Sequence, residues 1–215
     1  SFVSYAGPFD INFREKLVNV KWLPDMSERQ IPMSEGIEPM AILTDESLKA
    51  QWNQEGLPTD PLSVGNGAIM SNAARWSLMI DPQLQGVKWV LNKEESNGLK
   101  VIQLSQDRYL DTVEQCMENG IPLLIENLGE EIDAVLNPVI GRETSMRGRS
   151  LLIKLGEKEI EYDPNFKLFL QTKLSNPHYP PEIQAECTLI NFTVTEAGLE
   201  DQLLFLVVKY ERPDL

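Results

Sequence analysis

Residues 76–90 have the layout of a phosphate-binding loop but lack the residues that bind phosphate. They read WSLMIDPQLQGVKWV: a short apolar run, a turn and the start of a helix. A working loop follows the pattern G-x-x-x-x-G-K-[ST], in which backbone N–H groups and the lysine hold the phosphates and the hydroxyl binds Mg²⁺. Asp81 takes the first glycine position and Gly86 the second. Val87 then replaces the lysine and Lys88 the hydroxyl residue, so the pattern predicts a degenerate site.

A second degenerate element lies at residues 121–127, which read IPLLIEN. In an active P-loop ATPase this strand ends in Asp-Glu, where the Asp orders Mg²⁺ and the Glu activates the attacking water. Here Glu126 stands in the Asp position and Asn127 in the Glu position. An amide cannot accept a proton at neutral pH, so Asn127 cannot be a general base.

Each element also fits an ordinary structural role. The first could be any strand-to-helix turn, although Pro82 has no N–H to give to an anion. The second could be a buried parallel strand with a polar tip. Two defects at this spacing favour a nucleotide-binding fold whose site is silenced, and we expect no catalytic residue here.

Composition excludes several classes of protein. The 215 residues carry 33 acidic and 19 basic side chains, which gives a net charge of −14. Nucleic-acid surfaces need a basic stripe and anionic membranes attract basic segments, so we expect neither partner. The main basic cluster, Arg142, Arg147 and Arg149 in GRETSMRGRS, is interpreted as a solvated loop.

The residues that most often bind metals are few and scattered. Cys116 and Cys187 are far apart, on a predicted helix and a predicted strand, and we expect both to be free buried thiols. His178 lies in the proline-rich stretch NPHYPP, where a loop is predicted. One histidine with two distant cysteines does not form a zinc site, so we expect no metal. No apolar run approaches 18 residues, the length typical of a membrane span.

Residues 1–75 are predicted to form an N-terminal helical region. Residues 23–43 contain several prolines and are expected to be an extended connector. The apolar stripe of an amphipathic first helix would be formed by Phe9, Phe13, Leu17 and Val20. Helices are predicted over 9–22, 45–52 and 60–73, the last two beginning after Asp45 and Asp60 as N-caps.

Residues 76–196 are predicted to form the α/β core. Near-continuous apolar strands alternate with helices, which indicates a mostly parallel five-stranded sheet covered on both faces. The runs that meet at Gly156 indicate an inserted β-hairpin. Residues 197–215 would begin a further segment with an amphipathic helix over 199–209. Strands are predicted at 77–80, 99–103, 122–126, 166–171 and 188–194, and helices at 86–93, 107–118, 130–138 and 181–186.

Several long strings resemble those of dynein heavy chains, the microtubule motors. They are GLPTDPLSVGNGAI, IDPQLQGVKW, PLLIENLGEEID and NPHYPPEIQAECTLINFTVTEAGLEDQLL, and the resemblance covers essentially the whole chain. It points to the large subdomain of the fifth AAA+ module of the motor ring, with the three-layer α/β/α sandwich of AAA+ proteins. NPHY and QAECTLINF look more like axonemal than cytoplasmic chains. A ciliary or flagellar axoneme is therefore implied, and a cytoplasmic motor is the alternative.

The resemblance also implies which functions this segment has and which belong to its parent chain. Chains of this kind form a ring of six AAA+ modules, in which ATP and Mg²⁺ act in other modules and this one would be mechanical. Its partners would be the fourth and sixth modules and, through the coiled-coil buttress, the stalk that carries the microtubule site. The chain starts within a pattern and stops at ERPDL, which agrees with a longer parent.

Three further positions take their interpretation from the resemblance. Thr172 and Lys173 end the strand that carries the γ-phosphate sensor in active modules. Asn191 falls where sibling modules place an arginine that reaches into the neighbouring site, so whether this module supplies such an arginine stays open. The alternative function is an active or regulatory nucleotide-binding domain that uses Lys88 as the loop cation, one position late.

Overall fold

A computed structural model describes residues 10–32, 43–194 and 196–211. The chain divides into two compact units, Ser1–Ala41 and Ile42–Leu215. The functional division predicted at residues 75 and 196 is a different one and stays a prediction. None of the helices within the described ranges is long and apolar enough to span a membrane.

The described part of the first unit, residues 10–32, forms a continuous helical stretch over residues 11–28. It runs further than predicted, because residues 23–28 are helical rather than an extended connector; residues 33–42 of that connector lie outside the described residues. Pro24 is accommodated because it lies in the first turn of a new helical segment, where its missing N–H costs little. The stretch consists of α1 (Ile11–Lys16), a π-helical segment (Leu17–Trp22) and α2 (Leu23–Glu28).

The apolar stripe predicted for the first helix is not buried. Phe13 and Val20 are both exposed, and Phe9 lies outside the described residues. The spacing predicted a helix correctly over residues 11–22, but Phe13 and Val20 are exposed and Leu17 is only half-buried.

The second unit is built on a five-stranded sheet in the order β2-β3-β7-β1-β8. Every pairing in it is parallel, so the predicted α/β class is confirmed and the sheet is more regular than the mostly parallel one expected. In the register, Ile80 pairs with Thr172 on one side and Asn191 on the other. The carboxyl ends of the three strands therefore meet at one edge. The five strands are β1 (Trp76–Ile80), β2 (Lys100–Gln103), β3 (Leu123–Glu126), β7 (Leu168–Thr172) and β8 (Cys187–Asn191).

Most predicted helices are confirmed within a few residues. Asp45 and Asp60 are N-caps as expected, because their carboxylates accept the backbone N–H groups of Leu48 (2.7 Å) and Ser63 (3.0 Å). These helices are α3 (Glu46–Gln54), α4 (Pro61–Asn72), α5 (Gln85–Glu94), α6 (Tyr109–Asn119), α8 (Pro181–Glu186) and α9 (Glu196–Glu211).

The helix predicted over residues 130–138 is wrong for residues 130–133, because the helical segment starts only at Ala134. The carboxylate of Asp133 accepts the N–H of Val135 at 3.0 Å and starts a 3₁₀ turn there, Ala134–Leu136. A single α-helical turn follows as α7, Asn137–Ile140, with Pro138 in its first turn. The cap and the proline both favour a late start, so residues 130–133 stay outside the helix.

A second, antiparallel sheet joins α7 to the core strand β7. Two of its strands form the predicted hairpin at Gly156, which is confirmed. A third strand lies where a solvated loop is predicted, so that prediction is wrong. The stretch GRETSMRGRS contains this strand, which ends at Arg147 and turns at Gly148. Arg147 pairs across the sheet with Glu159 at 2.8 Å and stays exposed. The strands are β4 (Thr144–Arg147), β5 (Ser150–Leu155) and β6 (Lys158–Glu161).

Candidate nucleotide site

The carboxyl group of Asp81 accepts hydrogen bonds from backbone N–H groups at the start of α5. Asp81 follows β1 directly and is completely buried. Its Oδ1 accepts the N–H of Gln85 at 3.0 Å and its Oδ2 accepts the N–H of Val87 at 2.9 Å. In a working loop, N–H groups in this position bind the phosphates. Here they have an internal partner.

The local electrostatics of Asp81 reflect two opposing effects. Burial raises the pKa of its carboxyl above the ordinary range, because the charged form loses its hydration. Hydrogen bonds from the backbone N–H groups of residues 84–87 act in the opposite direction, and burial outweighs them. The group is thus held by hydrogen bonds in a buried site, and no described residue forms an ion pair with it.

The loop reaches α5 through a backbone conformation that is unusual for its residue type. Leu84, the residue before the helix, adopts a left-handed conformation with φ of 59°. Such a conformation costs a non-glycine residue about 1 kcal/mol or more. The turn that places the N–H groups of α5 next to Asp81 therefore forms although leucine disfavours this backbone conformation.

The residues in the lysine and hydroxyl positions point away from an anion role. Val87 is buried in the core. Lys88 is exposed and lies beside Gly56, where its Cε would be 3.9 Å from a Cβ added to that glycine. Gly86 packs against Phe192, and an added Cβ would come within 3.0 Å of the phenylalanine ring. Close helix packing therefore explains the glycine without any ligand.

A buried glutamine that sequence reasoning missed joins the strand ends of this site. Gln171 is completely buried near the end of β7. Its Oε1 accepts the N–H of Asn127 at 2.8 Å and its Nε2 donates to the carbonyl oxygen of Asp81 at 2.9 Å. The only signal in the sequence was one amide in the apolar run LFLQT.

The remaining predicted positions are brought to the same edge of the sheet. Glu126 ends β3 and is half-buried, whereas Asn127 is exposed in a left-handed conformation. The Thr172 hydroxyl donates to the carbonyl oxygen of Leu128 at 2.7 Å and is completely buried, so the structure gives it a backbone partner. Lys173 is exposed.

The space beside the start of α5 is small. A cavity of about 10 Å³ is lined by Asp60, Gln85, Phe192 and Val194 among others. That volume holds about one water molecule.

Asn191 lies at the end of β8. Its side-chain Oδ1 accepts the N–H of Thr193 at 2.9 Å, and its backbone carbonyl oxygen accepts the side-chain amide of Asn66 at 2.7 Å.

Other candidate residues lie elsewhere. Cys116 and Cys187 are free and buried as predicted, and burial raises the pKa of Cys187 to about 11. His178 lies in a loop, with its ring Nδ1 3.6 Å from Glu130. Arg142 is not simply solvated, because its guanidinium lies 3.6 Å from the ring centre of Trp76. In the ranges that the structure covers, no three metal-binding side chains converge.

Comparison with known proteins assigns the family. Residues 50–215 match the family described as the ATP-binding dynein motor region. Over its whole length the chain is 65% identical to the dynein beta chain of the flagellar outer arm of Chlamydomonas reinhardtii and 59% identical to the alpha chain. It is 51% identical to the human dynein axonemal heavy chain 17.

The fold and these matches agree. The chain belongs to the dynein heavy chain family, and it corresponds to a part of the motor region. It spans about 5% of the length of each of these relatives.

The contact between Gly86 and Phe192 yields a stability prediction. We expect Gly86→Ala to lower the free energy of unfolding by about 1–2 kcal/mol, since overpacking a filled site costs about 1–3 kcal/mol and the better helix propensity of alanine offsets part of it. Gly129→Ala is the matched control, because nothing lies closer than 3.9 Å to its added Cβ. Urea unfolding measures both. Equal stabilities for the two variants would contradict the packing role of Gly86.

Proposed function

We propose that this chain is a nucleotide-silent AAA+ module, the fifth of a dynein motor ring, that acts as a mechanical part of the ring. The observation that carries the proposal is the internal anion site. The carboxyl of Asp81 accepts the N–H groups of Gln85 and Val87, so an incoming phosphate would have to displace it. The displaced carboxylate would then lie next to another anion, and no described residue forms an ion pair with it.

Each chemical step of ATP hydrolysis lacks a group here. The loop lysine is a buried valine, Val87, so no cation would neutralise the γ-phosphate. Asn127 cannot take a proton from water. Thr172, in the sensor position, donates its hydroxyl to a backbone carbonyl. Losing a general base or an electrostatic contact costs several kcal/mol of transition-state stabilisation each.

The competing function is a regulatory nucleotide-binding domain with Lys88 as its cation. The family description includes ATP binding, and Lys88 is an exposed cation in the first turns of α5. Against this, its aliphatic chain lies beside Gly56, and Asp81 already holds the N–H groups that would bind phosphate. The charge of Lys88 alone does not make a phosphate site, because such a site also needs free backbone N–H groups.

A mechanical role is supported by the surface of α9. This 16-residue helix exposes several large apolar side chains, which a solvent-facing helix would rarely carry together. We infer that it continues towards the small subdomain and the buttress that supports the stalk, and that neighbouring modules of the parent chain contact this unit. The exposed apolar residues described in this helix include Leu199, Leu203, Leu204, Val207 and Val208.

The cellular setting follows from the relatives. Their names place them in flagellar outer arms, cilia and axonemes. We propose that the parent chain of this segment is an axonemal dynein heavy chain of a cilium or flagellum. Microtubules and ATP turnover would then belong to other parts of that chain.

Nucleotide binding is the first test. We expect calorimetric titration of the chain with Mg-ATP to give no saturable heat at micromolar concentrations, because Asp81 accepts the N–H groups and the buried Val87 stands in the lysine position. Lys88→Ala should behave like the unchanged chain. A micromolar dissociation constant that disappears in Lys88→Ala would establish the competing function instead.

The mechanical role is tested in the full motor. Leu203→Pro should break α9, since an interior proline costs a helix about 3 kcal/mol or more. We expect ATP turnover by the ring to persist while its stimulation by microtubules and filament gliding are lost. Leu203→Ala is the control, because it shortens the same exposed side chain and keeps the helix. Normal gliding with Leu203→Pro would show that α9 transmits no motion.

A further inference from the structure

A pocket at the amino ends of β1 and β7 is lined by four basic side chains. It lies at the edge of the sheet opposite the candidate nucleotide site, and its volume is about 220 Å³. The chain as a whole has a net charge of −14, so a concentration of positive charge is unexpected here. We call it the basic pocket; its charged lining is Arg75, Lys93, Arg142, Lys167 and one acid, Glu94.

The one carboxylate in the lining already has its partners. The side chain of Glu94 is only 3% exposed. Its Oε1 lies 3.0 Å from the ammonium of Lys167, and its Oε2 accepts the amide of Asn97 at 2.6 Å. Glu94 therefore pairs with Lys167, and the other three cations form no ion pair with a carboxylate among the described residues.

The two arginines are held by groups that carry no charge. The guanidinium of Arg142 stacks over Trp76, with 3.6 Å from its central carbon to the ring centre. Arg75 donates to the carbonyl oxygen of Ala185 at 2.6 Å. Neither forms an ion pair with a carboxylate in the described part of the chain, and stacking orients the planar donor fork of Arg142 for bidentate recognition.

Lys93 is the third cation. Its ammonium lies 4.6 Å from the ring centre of Trp89 and 3.1 Å from the hydroxyl of Ser71. Burial lowers its pKa, while the charges of Glu55 and Glu94 act in the opposite direction without reaching ion-pair distance. The ammonium is thus partly desolvated, a state that an added carboxylate would stabilise.

The size and walls of the basic pocket limit what it can bind. Drug-sized ligands and cofactors occupy about 300–1,000 Å³, which exceeds this volume. Its walls also include the apolar side chains of Met70, Ala73 and Leu168. A glutamate side chain has a matching form, because it carries a carboxylate on an apolar stem of two methylene groups.

We propose that the basic pocket binds the carboxylate side chains of an acidic peptide segment on a partner protein surface. Arg142 and Arg75 would supply the planar donors, and Lys93 the point charge. The site is separate from the degenerate loop, so it would act whether or not this module binds nucleotide.

A capped tetraglutamate peptide is the direct probe, measured by calorimetry at low salt. We expect saturable binding to the chain, with a dissociation constant at least tenfold lower than for a capped tetraglutamine peptide. Free propionate should bind at least tenfold more weakly than the glutamate peptide, because it offers the equivalent of one glutamate side chain only. Added salt should weaken binding, since the contacts are ionic.

Charge variants identify the site. Arg142→Gln should raise the dissociation constant of the glutamate peptide about tenfold, and Arg142→Lys, which keeps the charge and tests for a folding defect, should raise it less. Arg147→Gln is the matched control, because it removes the same charge from the antiparallel sheet, and we expect a change below twofold. No saturable heat, equal losses in Arg142→Gln and Arg147→Gln, or propionate binding as tightly as the peptide would each overturn the proposal.

Discussion

The backbone N–H groups at the start of α5 need a hydrogen-bond partner, and the rest of the site depends on which partner they have. The first turn of any helix leaves such donors unsatisfied, and they carry the positive end of the helix dipole. In this chain the partner is the carboxyl of Asp81, which comes from the residue next to β1. Because the anion is covalently part of the loop, the turn needs neither phosphate nor a lysine to hold its shape.

The strand ends are tied together by polar groups as well. Gln171 links the backbone of Asp81 to that of Asn127, and Thr172 binds the backbone of Leu128. Here their hydrogen bonds fix β1, β3 and β7 to one another, which favours a rigid unit over a site that must open and close.

The parts of the fold that follow local rules could be predicted from the sequence. Apolar strands with helices between them gave the parallel sheet, and Asp45 and Asp60 marked two helix starts. The pattern failed where a short-range cap competed with helix propensity, as at Asp133, and where β4 is exposed on both faces. Periodicity carries no signal for an exposed strand that pairs only along one edge.

The candidate site was predictable in its residue types but not in its contacts. The missing lysine, the carboxylate and Asn127 were readable from their positions. That the Asp81 carboxyl turns back onto its own helix, and that Gln171 spans the strand ends, depend on contacts between distant segments. No spacing rule predicts those contacts. The stacking of Arg142 on Trp76 is likewise a contact between distant segments that spacing does not predict.

Amide hydrogen exchange of Gln85 and Val87, followed by NMR with and without Mg-ATP, tests the central claim most directly. Both N–H groups should exchange slowly without nucleotide, because Asp81 accepts them, and Mg-ATP should leave their rates and chemical shifts unchanged. Fast exchange in the free chain that slows on addition of Mg-ATP would mean that the N–H groups await a phosphate, and the account of a silenced site would be wrong.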